Sequence, residues 1–334
     1  MKYKLSRRDF FAPMLAAGLS ISFKKGEDKM PLTGKRVGII GLDTSHSVAF
    51  TKSLNKSNAE AIFKGYKVVA AYPQGSLDIV SSTERIPGYI EEVKKLGVEI
   101  VDSISDLLKK VDVVLLETND GRRHLEQAME VFKSGKTTFI DKPIAASLKD
   151  AKTIFDAAER YKVSVFSASS LRFATNMIDI KKGKLGKVNG ADTFSPMKFE
   201  KTHPDLFWYG IHGVEMLFTV MGTGCKSVSR MIGEEQEVFA AIWNNGRIGT
   251  FRGIKNGKQD YGGMAFGDKG VIPLGPYNGY DPLLVEIINF FESGISPVNK
   301  NETLEICAFM EAADVSKKRG GEAVSLKEIF DRIK

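Results

Sequence analysis

Cysteine is almost missing from this 334-residue chain, which holds only Cys225 and Cys307. Two residues so far apart make neither a disulfide framework nor a zinc site. Histidine is nearly as scarce, with four copies and no cysteine or acid cluster at ligand spacing beside them, so no metal is expected. No apolar run reaches the roughly 18–20 residues of a membrane span. There is no internal repeat, no G-x-S-x-G turn for a serine nucleophile, and no low-complexity segment beyond the first 30 residues. A broad basic surface is missing too. The net charge is +7, but residues 1–30 contribute seven Lys or Arg against three acids, leaving only +3 for the remainder. A nucleic-acid partner is therefore not expected. What is left, 43% hydrophobic and 27% charged, is an ordinary globular chain long enough for two domains.

The N-terminus carries a distinct signal. Ser6-Arg7-Arg8-Asp9-Phe10-Phe11 runs into the short apolar stretch Ala12 to Phe23. Adjacent arginines before an apolar segment too short to span a bilayer read as a twin-arginine (Tat) export leader over residues 1–30. That leader implies a protein exported to the periplasm already folded, and it is set apart from the fold.

From residue 31 the pattern is strand, helix, strand. Arg36 to Gly41, Tyr66 to Tyr72, Val111 to Leu116, Thr137 to Ile140 and Val163 to Phe166 are apolar or β-branched runs that read as buried parallel strands. Helical patterns over Ser47 to Leu54, Pro87 to Leu96, His124 to Ser134 and Leu148 to Tyr161 lie between them, with Pro87 in a first turn where its missing N–H costs little. This alternation predicts an α/β fold: a Rossmann-like, doubly wound parallel sheet over residues 31–170, with ligands outside the C-terminal strand ends.

The first βα turn tests for a nucleotide. A dinucleotide fingerprint is G-x-G-x-x-G, with backbone N–H groups and a helix N-terminus facing the pyrophosphate. Here the turn is Gly41-Leu42-Asp43-Thr44-Ser45-His46, with only the first glycine in place. Asp43 would set a charge near the pyrophosphate, whereas Thr44 and Ser45 offer hydroxyl donors, and either suits a helix cap. Without more, the turn reads equally as a capped βα turn with no nucleotide. After the second strand, Gln74 and Ser76 stand where an acid for the adenosine ribose is usual, which leaves NAD and NADP both open.

Gly135-Lys136-Thr137-Thr138-Phe139-Ile140-Asp141-Lys142-Pro143 resembles the G-K-x-V-x-x-E-K-P signature of the Gfo/Idh/MocA oxidoreductases, with the acid shortened. Val111 to Leu116, the histidine His124 and the stretch Ser167 to Phe173 resemble neighbouring family segments, and the likeness extends over nearly the whole chain after the leader. The resemblance implies that Asp141 and Lys142, the loop residues Thr118 and Asn119, and Arg172 face the cofactor. Lys142, at a strand end before a proline, is placed to orient a substrate hydroxyl and to bias a neighbour's pKa.

Residues 171–334 read as an α+β domain with a mostly antiparallel sheet. Val188 to Phe199, Ser227 to Ile232, Glu237 to Trp243 and Arg247 to Ile254 are strands, Asn244-Asn245-Gly246 is a hairpin turn, and the glycine-rich Asp260 to Leu274 holds a further strand. Helices are expected at Trp208 to Met221, Pro282 to Ser293, Thr303 to Lys317 and Leu326 to Ile333. Within the first of these, His212 matches the histidine of a family D-x-x-x-H pattern, although Trp208 replaces its aspartate. Glu215, three residues on, shares a helical face with His212 and is expected to orient the imidazole. His212 then reads either as the acid–base group of a dehydrogenase or as a packing histidine satisfied by Glu215. Trp208 and Tyr209 read as a platform for a sugar ring or as core. His124 and His203 read as structural. The resemblance also implies a homo-oligomer built on the open face of the second sheet.

The expected function is an NAD(P)-dependent oxidoreductase acting on a sugar, polyol or glycan-derived small molecule. Two alternatives stay open. One is a glycosidase or lyase that uses bound NAD in a closed redox cycle. The other is a sugar-binding protein without cofactor, which the Asp43 and Trp208 departures favour.

Overall fold

The alternation in the first half becomes a six-stranded parallel sheet: β1 (Arg36–Ile40), β2 (Lys67–Tyr72), β3 (Glu99–Ile100), β4 (Val113–Leu116), β5 (Thr138–Ile140) and β6 (Val165–Ser167). A computed structural model describes residues 34–334, so the segment read as a twin-arginine leader lies outside the described residues. The strand order is β3-β2-β1-β4-β5-β6, the doubly wound order whose direction reverses between β1 and β4. β4 is Val-Val-Leu-Leu because helices cover both faces of a parallel sheet, and all four side chains are buried. Helices Ser45–Asn55, Ile86–Lys95, His124–Lys133 and Leu148–Tyr161 alternate with the strands.

The second half builds a seven-stranded sheet from β7 (Val188–Pro196), β8 (Cys225–Ile232), β9 (Gln236–Trp243), β10 (Ile248–Ile254), β11 (Gly262–Gly267), β12 (Gly270–Leu274) and β13 (Val324–Ser325). Its order is β12-β11-β7-β10-β9-β8-β13, and only the β7–β10 pair is parallel. The turn Asn244–Gly246 closes the β9–β10 hairpin, with Gly246 at φ 79°, a left-handed conformation that glycine adopts without a Cβ penalty. The glycine-rich stretch yields two strands, β11 and β12, where one was expected. The two-residue strands β3 and β13 are too short to leave a period in the sequence.

Two elements differ from expectation in ways that shape the site. The first helix begins at Ser45, because Thr44 in extended conformation accepts the His46 N–H and caps it. His46 therefore sits in a helical first turn. The helix expected from Trp208 opens instead with a π turn over Leu206–Gly210 before the regular α-helix Ile211–Met221, a wider winding often found at functional sites.

The chain also returns. Helix Asp281–Ser293 buries Leu283, Leu284, Ile287, Ile288, Phe290 and Phe291 in one core with Val37, Ile39, Phe139 and Phe166 of the first sheet. The Phe166 and Phe290 rings meet edge to face at 4.7 Å. Burial of such side chains stabilises by up to ~1.5–3 kcal/mol each, so this helix is part of the first sheet's own core. Among the described residues, no helix is long and apolar enough to cross a membrane.

Candidate active site

A cleft of about 480 Å³ opens at the C-terminal ends of the parallel strands, where the first βα turn, the β4 and β5 loops and the π turn converge. The first turn is tightly wound. Gly41 has φ 88°, and a Cβ there would lie 2.5 Å from the Thr118 backbone nitrogen. Only glycine fits that close approach of two loops.

Asp43 does not face the cleft. Its carboxylate is buried and accepts the backbone N–H groups of Ser76 at 2.8 Å and Asn119 at 3.0 Å, so it ties together the loops after β1, β2 and β4. Burial raises its pKa and those two N–H groups oppose the rise. Gly75 makes room for it, since a Cβ there would be 2.2 Å from an Asp43 oxygen. The charge read as facing a pyrophosphate is thus turned inward and bonded. Ser76 is buried too, with its hydroxyl on Asp120 at 3.2 Å, and Gln74 donates to the Ser76 carbonyl, so neither lines the cleft. Thr118 is likewise buried, bonded to Gln127 at 2.8 Å. In their place, Ser81, Arg85 and Tyr89 line that end of the cleft.

Thr44, Ser45 and His46 at the helix N-terminus, Arg85, Asn119 and Lys142 give the cleft a dipole end, two cations and an amide. This donor set suits the phosphates and hydroxyls of a dinucleotide. A nicotinamide dinucleotide therefore fits the residues present, and the Thr44–Ser45 turn and Arg85 would hold its phosphates.

Lys142 sits at the end of β5, before the cis peptide to Pro143. It is 8% exposed and its Nζ lies 3.0 Å from Asp141 Oδ2. The other Asp141 oxygen is 3.0 Å from His46 Nδ1. Burial opposes the charge of both Asp141 and Lys142. The cations beside Asp141 nonetheless hold its carboxyl well below the usual carboxylate range, and Asp141 holds Lys142 above the usual lysine value. His124 braces this corner, with one ring nitrogen 2.7 Å from the Thr118 carbonyl and the other 3.1 Å from that of Pro143.

From the second half, His212 lines the same cleft. Its Nδ1 is 3.0 Å from Ser169 Oγ, and the rings of Tyr209 and Tyr261 meet it edge-on at 5.4 and 5.7 Å. Burial, followed by the positive charges of Lys142 and His46, pushes its pKa well below the ordinary imidazole value. Trp208 also lines the cleft, with its ring 5.1 Å from that of His203.

Two expectations need correction. Glu215 does not touch His212: it forms a buried ion pair with Arg172, which also reaches Glu302 at 2.6 Å. Glu215 acts on the site at one remove, by accepting the backbone N–H of Ser169, the residue whose hydroxyl holds His212. Arg172, read as a cofactor contact, is spent on those two acids and lines no part of the cleft. Helical spacing put His212 and Glu215 on one face, but a buried arginine is the stronger partner for a buried carboxylate. Sequence reasoning missed Glu117, hidden at the end of an apolar strand, and Tyr277 and Tyr280, which complete an aromatic wall with Tyr261. Their signal was the tyrosine content of an otherwise glycine-rich stretch.

Residues 35–169 match the Gfo/Idh/MocA profile, described as an oxidoreductase family with an NAD-binding Rossmann fold. No curated protein matches the chain. Among solved structures, a probable dehydrogenase from Thermotoga maritima is 19% identical, with a TM-score of 0.71 over 88% of this chain and 99% of its own. The scyllo-inositol dehydrogenase of Lactobacillus casei, solved with NAD(H) and scyllo-inositol, is 13% identical at the same TM-score and coverage. The WlbA dehydrogenase of Bordetella pertussis, solved with NADH and UDP-GlcNAcA, is 18% identical, with a TM-score of 0.67 over 87% of this chain and 98% of its own. These likenesses share the fold with both halves of the chain. Residues 35–169 thus resemble an NAD-binding Rossmann domain, and the chain as a whole shares the fold of these dehydrogenase structures.

Proposed function

We propose that this chain is an oxidoreductase of the Gfo/Idh/MocA type that removes a hydride from a secondary alcohol of a sugar or polyol. The observation that carries the reading is the meeting of Lys142 and His212, from separate halves of the chain, in one cleft with a helix N-terminus suited to a dinucleotide. Bound NAD(P) supplies the hydride acceptor. With a proton on Nδ1 donated to Ser169, His212 presents Nε2 to take the hydroxyl proton of the substrate. Its lowered pKa keeps it neutral and ready to do so near pH 7. Lys142 donates a hydrogen bond to the same oxygen and stabilises the negative charge that develops as the proton leaves. The alcohol carbon loses hydride, the oxygen loses a proton to His212, and a ketone remains. Trp208, Tyr209 and the Tyr261–Tyr277–Tyr280 wall offer apolar faces to a sugar ring. The inward turn of Asp43 removes the charge objection to a nucleotide and with it the main support for a cofactor-free binding protein.

Export by the twin-arginine leader is part of the proposal, because a periplasmic enzyme must carry its nucleotide out with it. A homo-oligomer through the second sheet is another part, supported by Met231, Ile242, Ile248 and Val271, which stand exposed on β8, β9, β10 and β12. The test begins with purified full-length protein from a periplasmic extract, denatured and analysed for released nucleotide by mass spectrometry. A panel of inositols, hexoses and hexuronates is then offered to the native protein while reduced nicotinamide is followed by absorbance. Stoichiometric NAD or NADP that becomes reduced by one of these supports the proposal. Nucleotide that is retained but never reduced, with product formed by bond cleavage, overturns it in favour of a closed redox cycle. Protein that binds no nucleotide overturns both.

A further inference from the structure

One group of side chains beneath the cleft keeps bonding capacity that hydride transfer does not use. His46 at the start of the first helix, Glu117 after β4 and Asp141 after β5 bring one nitrogen and two carboxylate oxygens within 4.8 Å of one another. His46 Nδ1 is 3.0 Å from Asp141 Oδ1 and 3.7 Å from Glu117 Oε2. Glu117 is 0% exposed, and neither of its oxygens has a hydrogen-bond partner among the described residues. Buried polar groups are nearly always paired, so an orphaned carboxylate asks for an explanation.

Protons do not supply one. A proton on His46 Nδ1 is donated to the nearer Asp141 and leaves Glu117 without a donor. A proton on Glu117 itself finds no acceptor, because His46 Nδ1 is beyond hydrogen-bond range at 3.7 Å. Lys142 does not reach across, being held on Asp141 Oδ2, the oxygen that points away from His46.

We propose that His46, Glu117 and Asp141 hold a divalent transition-metal ion at the floor of the cleft. One imidazole with two carboxylates is a borderline-to-hard donor set of the kind that takes Zn²⁺, Mn²⁺ or Fe²⁺ and not a soft monovalent ion. Three protein ligands leave a coordination position open, as in catalytic rather than structural sites. His46 itself lines the cleft, so the ion has a route in. Asp141 then stands between the ion and Lys142, and the ion fixes the strand end from which Lys142 reaches substrate. This inference stands on the three donors and does not depend on the dehydrogenase reading.

The test uses the full chain in three forms: wild type, Glu117→Gln and His46→Ala. Metal content is measured on protein as purified. Chelator-stripped protein is then titrated calorimetrically with Zn²⁺ and Mn²⁺, and its absorption spectrum is recorded with Co²⁺. The expected result is one ion per wild-type chain, visible d–d bands with Co²⁺, and at least a tenfold rise in Kd in each variant while circular dichroism is unchanged. Stripped wild type that shows no saturable one-to-one binding overturns the proposal, whether or not the variants fold. Binding with the same Kd in folded variants places the ion elsewhere and overturns it too. Nucleotide content, measured on the same samples, separates loss of metal from loss of the cofactor reading.

Discussion

Two of the buried clusters of charge in this molecule, one in each half, are built differently. Under the second sheet, Arg230 uses all three guanidinium nitrogens: Nε meets Glu237 at 2.6 Å, Nη1 meets Asp314 at 2.9 Å and Nη2 meets Asp205 at 2.6 Å. Further cations and solvent complete the cluster: Lys317 lies 2.8 Å from Asp205 and Lys255 3.4 Å from Glu237, and the Asp205 and Asp314 side chains are 24% and 20% exposed. At the ends of the first sheet, Lys142 and His46 are both bonded to Asp141, and the Glu117 side chain has no hydrogen-bond partner among the described residues. A satisfied hub holds the fold rigid. An unsatisfied one keeps capacity in reserve for something that arrives from outside. Burial alone does not separate the two, but the count of partners does.

Predictions follow from that contrast, largest effect first. Arg230→Met leaves the buried Glu237 with only the longer Lys255 contact at 3.4 Å and should cost about 3–5 kcal/mol of folding stability in denaturant titration. A loss under ~1 kcal/mol would show that the hub is not structural. His212→Asn should instead leave the unfolding midpoint near that of wild type while turnover falls by roughly 10²–10⁴, the usual worth of a positioned base. If its midpoint drops as far as that of Arg230→Met, the contrast between the halves fails.

A third prediction concerns pH. The folded pKa of His212 lies below its unfolded value, so its contribution to stability is present above ~6.5 and is lost as pH falls through the folded pKa. The acid limb of kcat/KM should accordingly lie below the ordinary imidazole range. Burial is the larger cause and the charge of Lys142 the next, so Lys142→Met should move the limb part of the way back toward ~6.5 in whatever activity remains. An unmoved limb would mean that another group titrates. The smallest effect is expected at Glu117→Gln in metal-stripped protein. Replacing a buried carboxyl that has no partner should leave the melting temperature unchanged or slightly raised. A fall of several degrees would mean that Glu117 has a partner in the protein after all.

How much of this was legible beforehand depended on distance along the chain. Local periodicity was enough for the parallel sheet, because Val111 to Leu116 or Thr137 to Ile140 can hardly be anything but a covered strand. The short motif around Lys142 and the position of His212 were equally local. What failed was pairing. Glu215 was assigned to His212 because they are neighbours on a helix, when its partner Arg172 is 43 residues away in sequence. Asp43 looked like a charge in the cofactor's path, because no sequence pattern reveals that Ser76 and Asn119 bring their N–H groups to it. Glu117 ends an apolar strand and looked like its boundary. Tertiary contacts choose among the partners that local spacing leaves open, and the sequence alone holds no record of that choice.

The helix Asp281–Ser293 carries a consequence for how such a protein can be inherited or rebuilt. The residue just before it, Tyr280, reaches Ser45 at 3.1 Å and packs on His46 at 4.5 Å, and the helix itself then seals the first sheet. A gene fragment ending near residue 170 would encode a cofactor half with its aromatic flank bare. Exchange of that half between relatives must therefore transfer two separate stretches of coding sequence. A single recombination point between the sheets should give a chimera that is insoluble unless the returning helix comes from the same parent as the strands it covers.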